Sequence, residues 1–253
     1  MGTAARAMGR SWGGLMMVVL FGFLMSACGK TAANPSATTK STTAASPLAA
    51  AIQGQFVMVK LAYNEQVFGV KGKFCAAPCF DVGGWSMDPT DSVWPTTSGP
   101  VTVKGIPIWF PPTGNGTHAV LSAVNFGPQL SRTAKVPVPP GKYSTVYLLE
   151  GAGDGNHHAV LTFTYSNGST STAQMFVDDW CTSSPQGGVT AFQSARLTDK
   201  GTPQSGSPCA VFLATVPVSN TTGTMTSITF TQAPGTTHQR FQPEILAMTL
   251  KQA

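Results

Sequence analysis

The chain has 253 residues and a formal net charge of +5. Four of its fifteen Lys and Arg residues (Arg6, Arg10, Lys30 and Lys40) precede Ala51, which leaves eleven against ten acidic residues between Ala51 and Ala253. A near-neutral domain argues against nucleic acid or anionic lipid as the partner, since both need a basic surface. Only 10% of residues are charged, and 27 Gly and 19 Pro fit a secreted β protein better than a helical one.

Arg6 and Arg10 stand before an apolar run, Leu15–Met25, and the small residues Ser26 and Ala27 directly precede Cys28. A basic start, a short apolar core and small residues at a cut are the parts of a secretory signal. The run of 11 residues falls short of the roughly 20 that a membrane-spanning helix needs, so an anchor helix is not expected. The segment resembles a bacterial lipoprotein signal. That resemblance implies cleavage before Cys28, a diacylglycerol on its sulfur and an acylated new amino terminus; two or more chains hold a protein stably on a membrane. Met25 departs from the pattern, which prefers leucine there, and Leu24 lies one place too early. Gly29 follows the cysteine, and the absence of aspartate at that position implies, by Gram-negative sorting rules, the outer membrane. Ordinary secretion is the alternative.

Residues 28–50 hold Thr, Ala, Ser and Pro with no aromatic residue and no apolar periodicity. Such a segment cannot bury enough surface to offset its ordering entropy, so it is expected to act as a flexible tether. The 203 residues of 51–253 are enough for a sizeable core and are read as one all-β domain.

Four further cysteines, Cys75, Cys79, Cys181 and Cys209, suggest two disulfides in an exported chain. Three pairings are possible. Cys75–Cys79, closing a small loop, with Cys181–Cys209, tying two longer ones, is favoured over a zinc site, because a lone C-x3-C without spaced histidines is a weak metal signal.

Alternating or β-branched runs predict strands at Phe56–Tyr63, Ile106–Phe110, Ala119–Val124, Tyr143–Leu149, Ala159–Tyr165, Thr170–Val177, Val211–Val216, Ser227–Thr231 and Ile245–Leu250. Pro111-Pro112, Pro139-Pro140-Gly141 and Gly187-Gly188 read as turns between them. Within Ala159–Val177 the tip Asn167-Gly168 predicts a hairpin with a two-residue turn. Leu161, Phe163 and Tyr165 on one strand, and Ala173, Met175 and Val177 on the other, are expected to face inward. Many short antiparallel strands, each with one apolar face, predict a two-layer β-sandwich of jelly-roll type.

The segment from Val136 to Cys181 resembles the galactose-binding-like, carbohydrate-binding-module-like β-sandwich domains of bacterial secreted proteins. Pro139, Gly141, Tyr143 and Ser144 match the start of that pattern, Gly155-Asn156 its loop, Tyr165, Asn167 and Gly168 its turn, and Asp179-Trp180 its end. Tyr63-Asn64, Phe80–Trp85 and Ile245–Leu250 fit its outer parts. Asn167 stands where the pattern has aspartate and Asp178 where it has serine, and the cysteine pairs look like local additions. The resemblance implies a fold more firmly than a ligand.

Sugars stack on exposed aromatic rings while polar side chains take their hydroxyls. Trp85 and Trp94, in the Gly/Pro-rich loop Phe80–Pro100, are therefore ligand-binding candidates, with packing over the sandwich end as the alternative. Trp109, inside an apolar strand, is expected in the core. Asp179, Trp180 and Asn156 are further ligand candidates. The competing reading has the Asp178-Asp179 carboxylates bonding local backbone N–H groups and Trp180 packing on a disulfide. Jelly-roll modules often hold a structural calcium, and Asp81, Asp88, Asp91 and Asp154 are weak candidates for its ligands; otherwise no metal or cofactor is expected. Adjacent His157 and His158 point to opposite sides of an extended chain and, like His118 and His238, are read as exposed loop residues. No nucleophile elbow, zinc-protease helix or phosphate loop is present, so no catalytic residue is assigned. A lipid-anchored, non-catalytic envelope protein that binds poly- or oligosaccharide is expected. A structural or protein-interaction lipoprotein with an envelope protein partner is the alternative, and a glycan-active hydrolase a weaker one.

Overall fold

Fifteen strands and no helix make up the regular structure of the residues described by the computed structural model: 51–62, 65–66, 86–87, 93–95, 98–110, 122–125, 133–153, 155–198, 202–233 and 243–253. In chain order they are β1 (Ala51–Gln53), β2 (Phe56–Val59), β3 (Glu65–Gln66), β4 (Ser86–Met87), β5 (Gly99–Val103), β6 (Ile106–Phe110), β7 (Ser122–Asn125) and β8 (Thr133–Gly141). There follow β9 (Tyr143–Ala152), β10 (His157–Tyr165), β11 (Thr170–Val177), β12 (Gly188–Leu197), β13 (Pro203–Pro217), β14 (Met225–Gln232) and β15 (Pro243–Gln252).

The strands form antiparallel sheets. A large sheet runs β1-β2-β15-β9-β13-β12-β4, with β7 added on β15 and β3 on β7. A four-stranded sheet runs β11-β10-β14-β8, and β5 pairs β6 as a separate hairpin. One hydrophobic core draws on both larger sheets: Val146, Leu148, Val216 and Met248 from the first meet Leu161, Phe163, Ile228 and Phe230 from the second. A second core lies on the other face of the large sheet, where Leu149, Val211, Leu213 and Leu246 pack with Ile108 and Phe110 of the β5–β6 hairpin. Thr249 Oγ1 ties that hairpin down by donating to Pro107 O at 2.7 Å.

This double coverage explains the sequence of the central strands. β15 is buried at every position from Pro243 to Leu250, because a strand covered on both faces needs apolar residues on both, which abolishes alternation. A register shift between Ile245 and Ala247 lets Leu246 and Ala247 both join the second core while Ile245 and Met248 stay in the first. β10, at the outer layer, keeps strict alternation, with buried residues at Ala159, Leu161, Phe163 and Tyr165 and partly exposed ones between them.

The predicted hairpin is present, with Leu161 opposite Ala173 and Phe163 opposite Ser171. Its inward set is also as expected, except that Ala173 is only partly buried. The turn is longer than the two residues expected: Gly168 N donates to Tyr165 O at 2.9 Å and Tyr165 N to Ser169 O at 3.0 Å. Only Gly168 takes a left-handed φ, +82°, which is the glycine of a bulged three-residue loop. Asn167 stays right-handed and uses its Oδ1 to accept from Ser169 N and Oγ.

Two long strands, β8 and β12, were not expected. Pro139 and Pro140 read as turn residues, yet β8, which also holds Pro137, pairs only with β14 and is the edge of its sheet, where a missing N–H removes no ladder bond on the open side. Three other expectations are corrected here. Trp109 is not in either core; it is partly exposed, with Lys60 Nζ 5.7 Å from its ring centroid, because Ile108 and Phe110 occupy the inward positions of β6. His157 and His158 lie on a strand rather than a loop. His157 is buried, and only His158 is exposed, its ring against Phe176 at 4.1 Å. Among the described residues no helix is long and apolar enough to cross a membrane.

Candidate functional site

The candidate site forms where the chain leaves the four-stranded sheet. After β11 it crosses to the large sheet and makes a parallel bridge between Asp179 and Ala152 at the end of β9. Ala152 N donates to Asp178 O and Trp180 N to Ala152 O, both at 2.9 Å. The crossing is locked on its far side by the Cys181–Cys209 disulfide, one of the two expected bridges, and by Ala210 N donating to Trp180 O.

Each residue of Asp178-Asp179-Trp180 is held for a different reason. Asp178 is fully buried, and its carboxylate accepts from Gln186 N at 2.7 Å and from Gly187 N and Gly188 N at 2.9 Å each. It thereby clamps the loop that enters β12. A carboxylate accepting several backbone N–H groups meets the requirement that buried charge be hydrogen-bonded. Gly187 is needed for the closeness of this packing: a Cβ there would lie 2.6 Å from both Cβ and O of Phe176.

Asp179 turns the other way. Its Oδ1 accepts from Cys181 N at 2.7 Å and its Oδ2 from Gly155 N, so the carboxylate ties the β9–β10 loop to the crossing. Asp179 N donates to Asn156 at 2.7 Å. A backbone N–H can only donate, so the Asn156 atom it meets is Oδ1, and Nδ2 remains as a donor.

Trp180 is 1% exposed and Trp94 4%. Neither offers the open ring face expected of a sugar platform. Trp94 packs on Phe192 at 5.4 Å in the second core. Trp180 joins the same core and carries the Arg196 guanidinium 5.7 Å from its ring centroid. Beside it opens a cavity of about 420 Å³ lined by Gly155, Asn156, Asp179, Trp180, Thr182 and Arg196, with Cys181 of the disulfide at its wall. Three of the ligand candidates, Asn156, Asp179 and Trp180, thus meet in one cleft, and Trp94 does not line it. A second cavity, about 290 Å³, lies between β11 and β13 and is lined by His158, Gln174, Phe176 and Thr215 among others.

Directly beneath the crossing, Glu150 is fully buried. Asp178 N donates to its Oε2 at 3.0 Å, while its Oε1 has no hydrogen-bond partner among the described residues. Burial first, and then the charge of Asp178, hold its carboxyl well above the usual glutamate range, against the smaller opposing effect of the Asp178 N–H. His157 is also internal, with Nε2 3.3 Å from Gly153 O and Nδ1 3.3 Å from Gln232 Nε2.

Arg196 and Thr182 were missed by the reading of the sequence. Arg196 is the only arginine between Arg132 and Arg240, and an isolated arginine in an otherwise uncharged segment is the signal that could have found it. Trp85, the calcium candidates Asp81, Asp88, Asp91 and Asp154, the pair Cys75 and Cys79, the lipidation candidate Cys28, and His118 and His238 all lie outside the described residues. Among the described residues no group of three or more His, Cys, Asp or Glu is arranged to hold a metal ion.

Neither a scan against protein-family models nor a search of curated proteins finds a match to this chain.

Proposed function

We propose that this chain is a non-catalytic cell-envelope protein, anchored in the outer membrane by lipid on Cys28, whose domain binds carbohydrate in the cleft beside Trp180. The domain is read as a jelly-roll sandwich of galactose-binding-like type. The observation that carries the reading is the convergence of Asn156, Asp179, Thr182 and Arg196 on one cavity of about 420 Å³, within the range of small-ligand sites. Asn156 Nδ2, the Thr182 hydroxyl and the guanidinium donate, and Asp179 has lone pairs beyond the two N–H bonds it accepts. A polyhydroxyl ligand needs both kinds of partner. The part foreseen for an open tryptophan passes to the polar rim, with Trp180 as the floor under Arg196.

The test is a glycan array probed with the full chain in detergent, followed by titration of whatever binds. Asn156→Leu should weaken binding at least about tenfold, the loss of one well-placed hydrogen bond to a desolvated ligand. An array without binders, or unchanged affinity in Asn156→Leu, rejects the carbohydrate reading. The anchor is tested separately: Cys28→Ala should remove the acyl mass and release the chain from membranes.

A further inference from the structure

We propose that the open edge of β11 pairs with the same edge of a second copy of this chain, joining two four-stranded sheets about a two-fold axis at Thr172. The hairpin fixes which backbone groups are free. Tyr165 N donates to Ser169 O, so these two form the hydrogen-bonded pair next to the turn. Bonded pairs then recur at every second residue, Phe163 with Ser171 and Leu161 with Ala173. The backbone N–H and C=O of Thr170, Thr172 and Gln174 therefore point away from β10. β11 ends its sheet, all three residues are exposed, and among the described residues those groups have no hydrogen-bond partner.

The sequence treats the two edges of this sheet differently. β8 carries Lys135, Pro137, Pro139 and Pro140, residues that keep an edge from pairing. β11 has no proline, no charge and no break in its register with β10, and such an edge is a template for another strand. A second copy fits it by symmetry. The open stretch is bounded at one end by the turn and at the other by Gly187, so close to Phe176 that a Cβ on it would lie 2.6 Å from the Phe176 carbonyl oxygen. Its midpoint is Thr172. Antiparallel pairing there sets Thr172 against Thr172 and Thr170 against Gln174 of the second copy, each pair exchanging two hydrogen bonds, so every free group is used once. Threonine opposite threonine is a favourable cross-strand pair. No like charges meet, since β11 has none and the residues from Ala51 onward carry eleven basic against ten acidic side chains. The cavity of about 290 Å³ beside Gln174 and Phe176 leaves room for the turn that precedes Thr170 of the second copy.

The experiment follows the mass of the full chain in detergent by sedimentation over a concentration series, together with oxidative cross-linking of cysteine variants. The parent chain should pass from monomer to dimer as concentration rises. Thr172→Lys puts two ammonium groups opposite one another at the axis and should raise the dissociation constant at least about fivefold, with the urea midpoint unchanged as the check on folding. Thr172→Cys should cross-link to itself beyond the parent background, because the Cα atoms of a hydrogen-bonded pair lie about 5.5 Å apart, within disulfide reach. Thr170→Cys and Gln174→Cys, each about 14 Å from its own copy, should not, yet a mixture of the two should cross-link. The cysteine series decides the matter even if the lysine variant loses stability. A parent chain that stays monomeric throughout overturns the proposal, as does a dimer indifferent to Thr172→Lys. Cross-linking at Thr170→Cys or Gln174→Cys alone as strong as at Thr172→Cys, or none at Thr172→Cys, puts the contact elsewhere and also overturns it.

Discussion

Replacing Asp178 by alanine removes one carboxylate and leaves three backbone N–H groups, those of Gln186, Gly187 and Gly188, without their acceptor. A hydrogen bond to a charged group contributes about 1.5–3 kcal/mol, so three give an upper bound of about 5–9 kcal/mol. Gln186 is exposed and the two glycines are partly so, and water can recapture part of the lost bonding once the loop loosens. The net loss is expected at about 3–5 kcal/mol, a large share of the 5–15 kcal/mol typical of a whole domain. Asp178→Asn keeps one acceptor oxygen in the same place and should lose about half as much. Urea unfolding of the disulfide-intact protein, followed by tryptophan fluorescence, measures both values. A loss below about 1 kcal/mol for Asp178→Ala would refute the clamp, because the three bonds would then be replaceable by solvent at no cost.

Glu150 makes stability depend on pH with a definite sign. Its carboxyl is raised in the folded state, so between the ordinary glutamate value near 4.3 and the raised one the native protein holds a proton that the unfolded chain releases. Stability falls as pH rises through that window, by up to about 1.4 kcal/mol per unit. Glu150→Gln should flatten the slope, gaining on the parent protein at each step up in pH; parallel pH profiles would count against it. Breaking Cys181–Cys209 by a double alanine substitution frees a segment whose ends are 28 residues apart, for which chain entropy gives a loss of about 3.5 kcal/mol. A melting temperature unchanged by the substitution would show that the crossing is held without it. Gly168→Ala meets no atom within 4 Å, so its cost is the left-handed backbone alone, about 1–2 kcal/mol; no measurable change in the urea midpoint would contradict the turn geometry.

Much of the scaffold is legible in the sequence. The β10–β11 hairpin was readable because β10 faces one core only, and a half-buried strand writes its orientation into period-two alternation. β15 was recognisable as a strand, but its apolar run from Ile245 to Met248 could not say which side chain faces which core. β8 was missed because proline punctuates most chains, and whether it sits at a sheet edge is a property of the neighbours. The pairing of Cys181 with Cys209 was favoured among three possibilities, and the structure joins them. Asn156, Asp179 and Trp180 were ligand candidates and do meet in one cleft, yet of the tryptophan candidates Trp94 and Trp180 are buried, which is the packing alternative rather than the open ring a sugar platform needs. Local sequence holds no record of which elements cover a ring.

Composition, alternation and turn residues by themselves determined an all-β chain, the position of most strands and the hairpin, because these depend on contacts within a few residues or on one face of one strand. Only the tertiary structure decided that the large sheet is covered on both faces, that β11 crosses over to meet β9, and that Arg196 lies over Trp180 at the cleft. Those features join residues far apart in the chain, and the energy that selects them is the burial and hydrogen bonding of groups whose partners no local pattern names.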